Sequence, residues 1–294
     1  MANQSRESVA VQADQNYFLK KKIGTIVTYL VLGIIAVYTL APLWFLLVNS
    51  FKGQAEIINN PLGIPKDFTF TYLSNAFKEI HFLKALAITI ALTFTSVGLI
   101  VLVSSLGAWM LVRNHTKWSQ VIFMSFVAAM LIPFQAIMYP LIQFFDTIGM
   151  KNAAGLVFMY GGFGLSMSVF LYHGFVKGVP LGIEEAGIID GCNIFQLFFN
   201  IVLPLLSSIT VTVIVLNSMW IWNDYLLPFL VIGNSATKTL VLELYFARIL
   251  AGQFGNPWQL IFPAVFISII PIVIVFLFLQ KYIVQGITDG AIKS

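Results

Sequence analysis

Six apolar runs divide the chain, at residues 23–48, 85–112, 121–144, 153–176, 205–232 and 260–280, with more polar stretches between them. Each has at least the roughly 20 residues that cross a hydrocarbon layer at about 1.5 Å per residue, and the longer ones can tilt. The pattern predicts an all-α polytopic membrane protein with six transmembrane helices. The first run directly follows Lys20, Lys21 and Lys22. It is too long for a signal-peptide core and no small-residue cleavage pattern follows it, so it reads as an uncleaved span. Residues 1–19 are polar and read as a frayed end. Pro42, Pro133, Pro140, Pro228 and Pro271 fall inside or near the ends of the spans. Membrane helices tolerate prolines as kinks, and gating hinges are the other reading.

Six spans place both termini on one side. Nine Lys and Arg residues then lie on the terminal side and seven on the other, a small margin. The triple lysine before the first span carries more weight and puts both termini in the cytosol. Residues 51–84 form the long outer connection, expected to fold onto the outer face. The inner connection, 177–204, is anomalous. It holds Glu184, Glu185 and Asp190, is too polar to span and is too apolar for a free loop. Such a segment lies along the membrane surface or docks on a partner.

Composition supports the membrane assignment. Hydrophobic residues make up 59% of the 294 and charged residues 10%, against about 45–50% and about 25% in soluble domains. The mean hydropathy is +0.91. A soluble protein, a disordered chain and a fibrous repeat are excluded. The net charge of +4 reflects scarce acids rather than a basic patch, so nucleic acid is not an expected partner. Cys192 is the single cysteine, and His81, His115 and His173 lie far apart, which leaves no intrachain disulfide and no metal-ligand spacing.

Within 177–204, Pro180 and the acids at 184 and 185 suit a helix N-terminus. Gly191 suits a turn or a close contact that a Cβ would block. Phe195, Leu197, Phe198 and Phe199 offer an apolar face, and Pro204 leads into the fifth span. The segment predicts a short helix, a turn and a second helix running into the bilayer.

The order Glu185-Ala186-Gly187, three residues, Gly191, nine residues, Ile201, one residue, Leu203-Pro204 resembles the signature of permease subunits of bacterial ABC importers. Gly187 stands where that signature has a second Ala, and Cys192 where Ala usually follows the glycine; both exchanges are small for small. Trp222-Asn223-Asp224-Tyr225 resembles a segment in the fifth helix of sugar permeases. Ser50-Phe51-Lys52 and residues 280–293 are similar to the corresponding parts of the carbohydrate-uptake class. The overall resemblance is to the smaller permease subunit of maltose and oligosaccharide importers. It implies a cytosolic segment 1–22, a first helix and outer loop 23–84, a permease core 85–280 and a cytosolic tail 281–294.

The resemblance also implies partners: a second permease subunit, two cytosolic ATPases that hold ATP and magnesium, and an extracytoplasmic sugar-binding protein. The chain has no cofactor of its own in this reading. The stretch 233–239 lacks the glycine before Lys238 and the strand-to-helix setting of a phosphate loop. By position in the signature, Glu185, Ala186, Gly187, Asp190 and Gly191 are expected to contact the ATPase. The alternative is that Glu185 and Asp190 only cap and solubilise a surface helix. Deletion of the tail is expected to lower coupled ATP hydrolysis, since the resemblance implies that it reaches between the ATPases.

Polar groups within the spans are expected to face the bundle interior. Thr210, Asn217 and Asp224 recur every seven residues with Trp220 on nearly the same face, and Gln135 decorates the third span. Gln135, Asn217, Trp220 and Asp224 are candidates for the translocation path, because amides bond hydroxyls and an aromatic face packs on a sugar ring. Interhelical hydrogen bonding is the alternative. Gly252, Gln253, Phe254, Gly255 and Asn256 read as a loop that touches the binding protein, or as a plain turn. The rivals are an ABC permease for another solute, an ion-driven secondary transporter and a membrane enzyme. The few intramembrane carboxylates and the lack of a catalytic cluster argue against the last two.

Overall fold

The computed structural model describes residues 2–251 and 256–292, with side chains at 22–249 and 256–278. Thirteen helices are defined among the described residues, and no strand. They are α1 (Ala2–Asn49), α2 (Gln54–Asn59), α3 (Thr71–Glu79), α4 (Phe82–Arg113), α5 (Lys117–Ala129), α6 (Phe134–Thr147) and α7 (Ala153–Val176). There follow α8 (Leu181–Ile189), α9 (Ile194–Leu205), α10 (Ser207–Asn223), α11 (Leu226–Val231), α12 (Leu240–Ala251) and α13 (Trp258–Ile292).

Four of the expected spans are single helices, within α1, α4, α7 and α13. The other two runs are not. The run 121–144 is split between α5 and α6, which meet at 105°. The break, Met130–Pro133, ends at a proline that has no N–H to continue the ladder and keeps Ile132 out of helical geometry. The run 205–232 is interrupted twice. α9 and α10 meet at 78° around Leu206, two residues after Pro204, and Asp224 separates α10 from α11. Residues 197–202 of α9 form a π-helical turn. This wider turn lies just ahead of Pro204, whose ring would press on the carbonyl four residues back in a regular helix. The polar stretch at the start is helical from Ala2 rather than frayed, and α13 continues without a break through most of the expected tail.

The chain forms two compact units. The first joins Met1–Leu73 to Trp258–Phe266. From residue 22 onward α1 presents nearly all its apolar side chains outward, as a helix solvated by hydrocarbon does. Just beyond it, Lys52 is fully buried, and its Nζ donates to Asn60 O at 2.8 Å and Asn49 Oδ1 at 3.2 Å. Asn49 Nδ2 donates in turn to Phe45 O and Pro61 O, so the connection is tied back onto the end of α1. Burial pushes the Lys52 ammonium below its usual 10.5, against a smaller opposing pull from Glu56. Phe51 packs among Phe68, Phe70 and Phe266.

The second unit joins Ser74–Pro257 to Ile267–Ser294. Its centre is α4 against α7, with α5, α10 and α12 around them. Ile100, Leu156, Tyr160, Val169, Tyr172, Leu206 and Val213 are among its most enclosed side chains. Thr116 Oγ1 accepts from Ser119 N to start α5, and Asn152 Oδ1 accepts from Gly155 N to start α7. The first N–H of α12, on Leu240, bonds Thr89 Oγ1 of α4 at 2.9 Å.

Candidate functional site

The anomalous connection folds as an elbow. α8 starts after Pro180 and ends at Asp190, whose N–H bonds Ala186 O. Gly191 follows with φ +86°, a left-handed conformation that glycine adopts without cost. Nothing lies within 4 Å of where its Cβ would be, so backbone conformation, not space, selects glycine there. Asn193 and Gln196 then form a reciprocal capping box that starts α9.

Two α8 residues point inward, Glu184 and Gly187. A Cβ on Gly187 would stand 2.5 Å from Ile201 Cδ1 and 3.0 Å from Leu197 Cδ1, so α8 rests directly on α9. Glu184 is only 3% exposed and fully met by donors. Arg113 Nε and Nη2 reach Oε1 at 2.9 and 2.6 Å, and Trp109 Nε1 reaches Oε2 at 2.9 Å. Arg113 Nη2 also donates to Val179 O at 3.0 Å. A buried carboxylate persists as a charge only with such pairing.

Of the residues singled out for this segment, Gly187 is inside, whereas Glu185, Ala186, Asp190 and Gly191 are exposed on the elbow. Leu181, Ile183, Ile188 and Ile189 share that outer surface, Ile189 at 85% exposure, and Phe195 at the start of α9 adds to it. Exposed apolar groups gathered on one short helix suit an interaction surface. Glu184 was invisible as a site in sequence. It stands beside Glu185, and its partner lies 71 residues away.

The heptad-spaced polar residues behave as a ladder to α7. Thr210 Oγ1 accepts from Tyr172 Oη at 2.9 Å, Asn217 Nδ2 donates to Ser168 Oγ at 3.1 Å, and Asp224 Oδ2 accepts from Tyr160 Oη at 2.8 Å. Asp224 Oδ1 also accepts from Leu226 N at 3.0 Å, which starts α11.

Beside this ladder is a cavity of about 650 Å³, walled by α5, α6, α7 and α10. Its lining is mostly apolar, with Met130, Phe145 and Phe163, and its polar groups include Ser166 and Asn217. Trp220 forms part of one wall and meets Tyr160 edge-on at 5.4 Å. Gly164 lets α7 approach α4 and α10 closely, because a Cβ there would run into Ile100 Cδ1 and come within 2.7 Å of Asn217 Oδ1. Asn217 and Trp220 are thus brought to one cavity, whereas Asp224 is outside its lining and bonds the Tyr160 that packs on Trp220. Gln135 is exposed at the start of α6 and is not part of the lining. Phe163 and Ser166 were not singled out from sequence, although the Gly161-Gly162-Phe163-Gly164 run marked a place where α7 could leave space. Residues 252–255 of the expected binding-protein loop lie outside the described residues, and Asn256 is exposed.

Three comparisons bear on this architecture. Residues 101–289 match the family described as the binding-protein-dependent transport system inner membrane component. The chain is 40% identical over 264 residues to the "Probable starch degradation products transport system permease protein AmyC" of Thermoanaerobacterium thermosulfurigenes, covering 90% of this chain and 95% of that one. It is 31% identical over 270 residues to the melibiose/raffinose/stachyose import permease protein MelC of Bacillus subtilis, with 90% and 95% covered. The fold is similar to a chain in the crystal structure of a bacterial ABC transporter that imports the acidic polysaccharide alginate. The TM-score is 0.76 at 22% identity, over 89% of this chain and 96% of that one. The chain therefore belongs to the inner-membrane permease family of binding-protein-dependent transport systems.

Proposed function

We propose that the chain is one permease subunit of an ATP-driven importer for sugars, and for oligosaccharides in particular. In this reading it crosses the bacterial cell membrane six times, the two bent helix pairs each counting as a span, with both termini in the cytosol. It forms the translocation path with a second permease. An external binding protein delivers the sugar, and two cytosolic ATPases supply ATP hydrolysis with magnesium.

The observation that carries the reading is the division of α8. Its apolar outer face, with Glu185 and Ala186, is offered to a partner, while Glu184 and Gly187 hold it to the bundle. Nucleotide binding belongs to that partner in this reading. The sugar class is supported by what the similar permeases are said to carry, starch degradation products in one and melibiose, raffinose and stachyose in the other. It is also supported by the cavity, where the Asn217 amide, the Ser166 hydroxyl and the Trp220 ring suit hydroxyls and a ring face.

Reconstitution tests the reading. The full complex in proteoliposomes, given its binding protein, is expected to take up labelled malto-oligosaccharide only when ATP is enclosed on the ATPase side. This chain alone is expected to show none. Uptake by this chain alone, or uptake driven by an ion gradient without ATP, would overturn it.

A further inference from the structure

α8 has two attachments to the bundle, and they differ in kind. Gly187 rests on Ile201 and Leu197, an apolar contact that tolerates sliding. Glu184 makes charge-assisted bonds of 2.6–2.9 Å, which are directional and are lost within about 1 Å of displacement.

The polar attachment grips α4 at two places. Trp109 and Arg113 lie four residues apart, on one face of its last turns, and bind opposite oxygens of the same carboxylate. Two anchors one turn apart resist rotation as well as translation. Arg113 also holds Val179 O in the connection between α7 and α8, so it spans the joint on which α8 would pivot. The Trp109 ring packs against Phe198 at 5.5 Å, inside the π-helical turn. α4 in turn contacts α5, α7, α10 and α12.

Stability alone does not explain the arrangement. Desolvating two charges offsets most of their attraction, and packed apolar residues usually serve as well. Fixed geometry is what the ion pair adds.

We propose that Arg113, Glu184 and Trp109 form the positioning link through which movement of α8 is delivered to α4 as a rigid displacement. The inference rests on the proposed role of α8 as the ATPase-docking helix. Glu184 is a positioning residue and does not itself meet the ATPase or the sugar. Without the link, α8 moves over α9 and the stroke is lost before it reaches the helices around the cavity.

The test uses the complete complex in proteoliposomes and reads sugar imported per ATP hydrolysed, with ATPase co-purification as the assembly control. Glu184→Gln keeps the shape and an acceptor but removes the charge. It is expected to assemble and to lower that ratio about tenfold, within the range over which single residues alter coupling. Trp109→Phe removes one anchor, and Arg113→Lys keeps charge without the fork; each is expected to lower the ratio by about threefold. A wild-type ratio in assembled Glu184→Gln would overturn the link. So would less assembled complex with an unchanged ratio per complex, which is what a structural role predicts. If Glu184→Gln does not assemble, the two milder variants decide, and wild-type ratios in both overturn it. Failure of the wild-type complex to import sugar at the expense of ATP would instead remove the proposed function.

Discussion

Tyr160 donates its phenolic hydrogen to Asp224 at 2.8 Å, from the middle of one long helix to the residue where another stops. The bond turns a break in α10 into a defined joint, because the second carboxylate oxygen is held by Leu226 N at the start of α11. Tyr160 is fully enclosed, while Asp224 is half-buried.

Tyr160→Phe is accordingly expected to destabilise the purified complex by roughly 0.5–1.5 kcal/mol, the range for hydrogen bonds between membrane helices. Asp224→Asn keeps one acceptor for two donors and should cost less. Thermal denaturation in detergent checks the order, and Tyr160→Phe melting with the wild type would show that the joint does not depend on this bond.

Gly191 and Gly187 should fail for different reasons. At Gly191 the cost comes from φ +86°, so Gly191→Asn should be milder than Gly191→Ala, and Gly191→Val worst, with about 1–2 kcal/mol between glycine and alanine. At Gly187 the neighbours are the ends of flexible side chains, so Gly187→Ala should be nearly tolerated, whereas Gly187→Leu should pry α8 from α9. ATPase co-purification measures both series. Equal effects of alanine and asparagine at 191 would argue that backbone conformation is not the constraint.

Around the cavity, Gly164→Ala is expected to push the Asn217 amide from its place, and Trp220→Ala to remove an aromatic wall. Both should raise the KM for sugar uptake several-fold, by about 1 kcal/mol or somewhat more, with assembly intact. An unchanged KM in both variants would place the sugar path outside this cavity.

Lys52 predicts a pH dependence. Its folded-state value lies below 10.5, so between the two values the folded state binds fewer protons than the unfolded state. Stability is therefore expected to rise with pH across that window and to level off above 10.5. Lys52→Met should abolish the rise. Melting curves of both proteins at pH 7 to 10.5 compare them, and parallel profiles would exclude Lys52 as the cause.

The apolar helices and the elbow were legible because they rest on local quantities: run length, a glycine for the turn, and prolines at the right distances. The breaks were not. Residues 121–144 and 205–232 are apolar on average, and that average does not say whether Pro133 inside one run and Pro204 just before the other kink a helix or end it. Asp224 read as a polar residue for the path because its donor, Tyr160, is 64 residues away. The Thr210–Asn217–Asp224 spacing located a polar face correctly. It could not tell that this face is engaged by α7, while the amide of Asn217 also borders open space.

The two faces of α8 share no residues, and this bears on how such subunits diverge. Ile183, Ile188, Ile189 and their exposed neighbours face outward; what the bundle holds is Glu184 and Gly187. Under the proposed function, compatibility with a particular ATPase would then be rewritten without disturbing the internal attachment. Grafting the outward residues of α8 from another permease onto this chain, with positions 184 and 187 left alone, amounts to changing the plug while keeping the wiring.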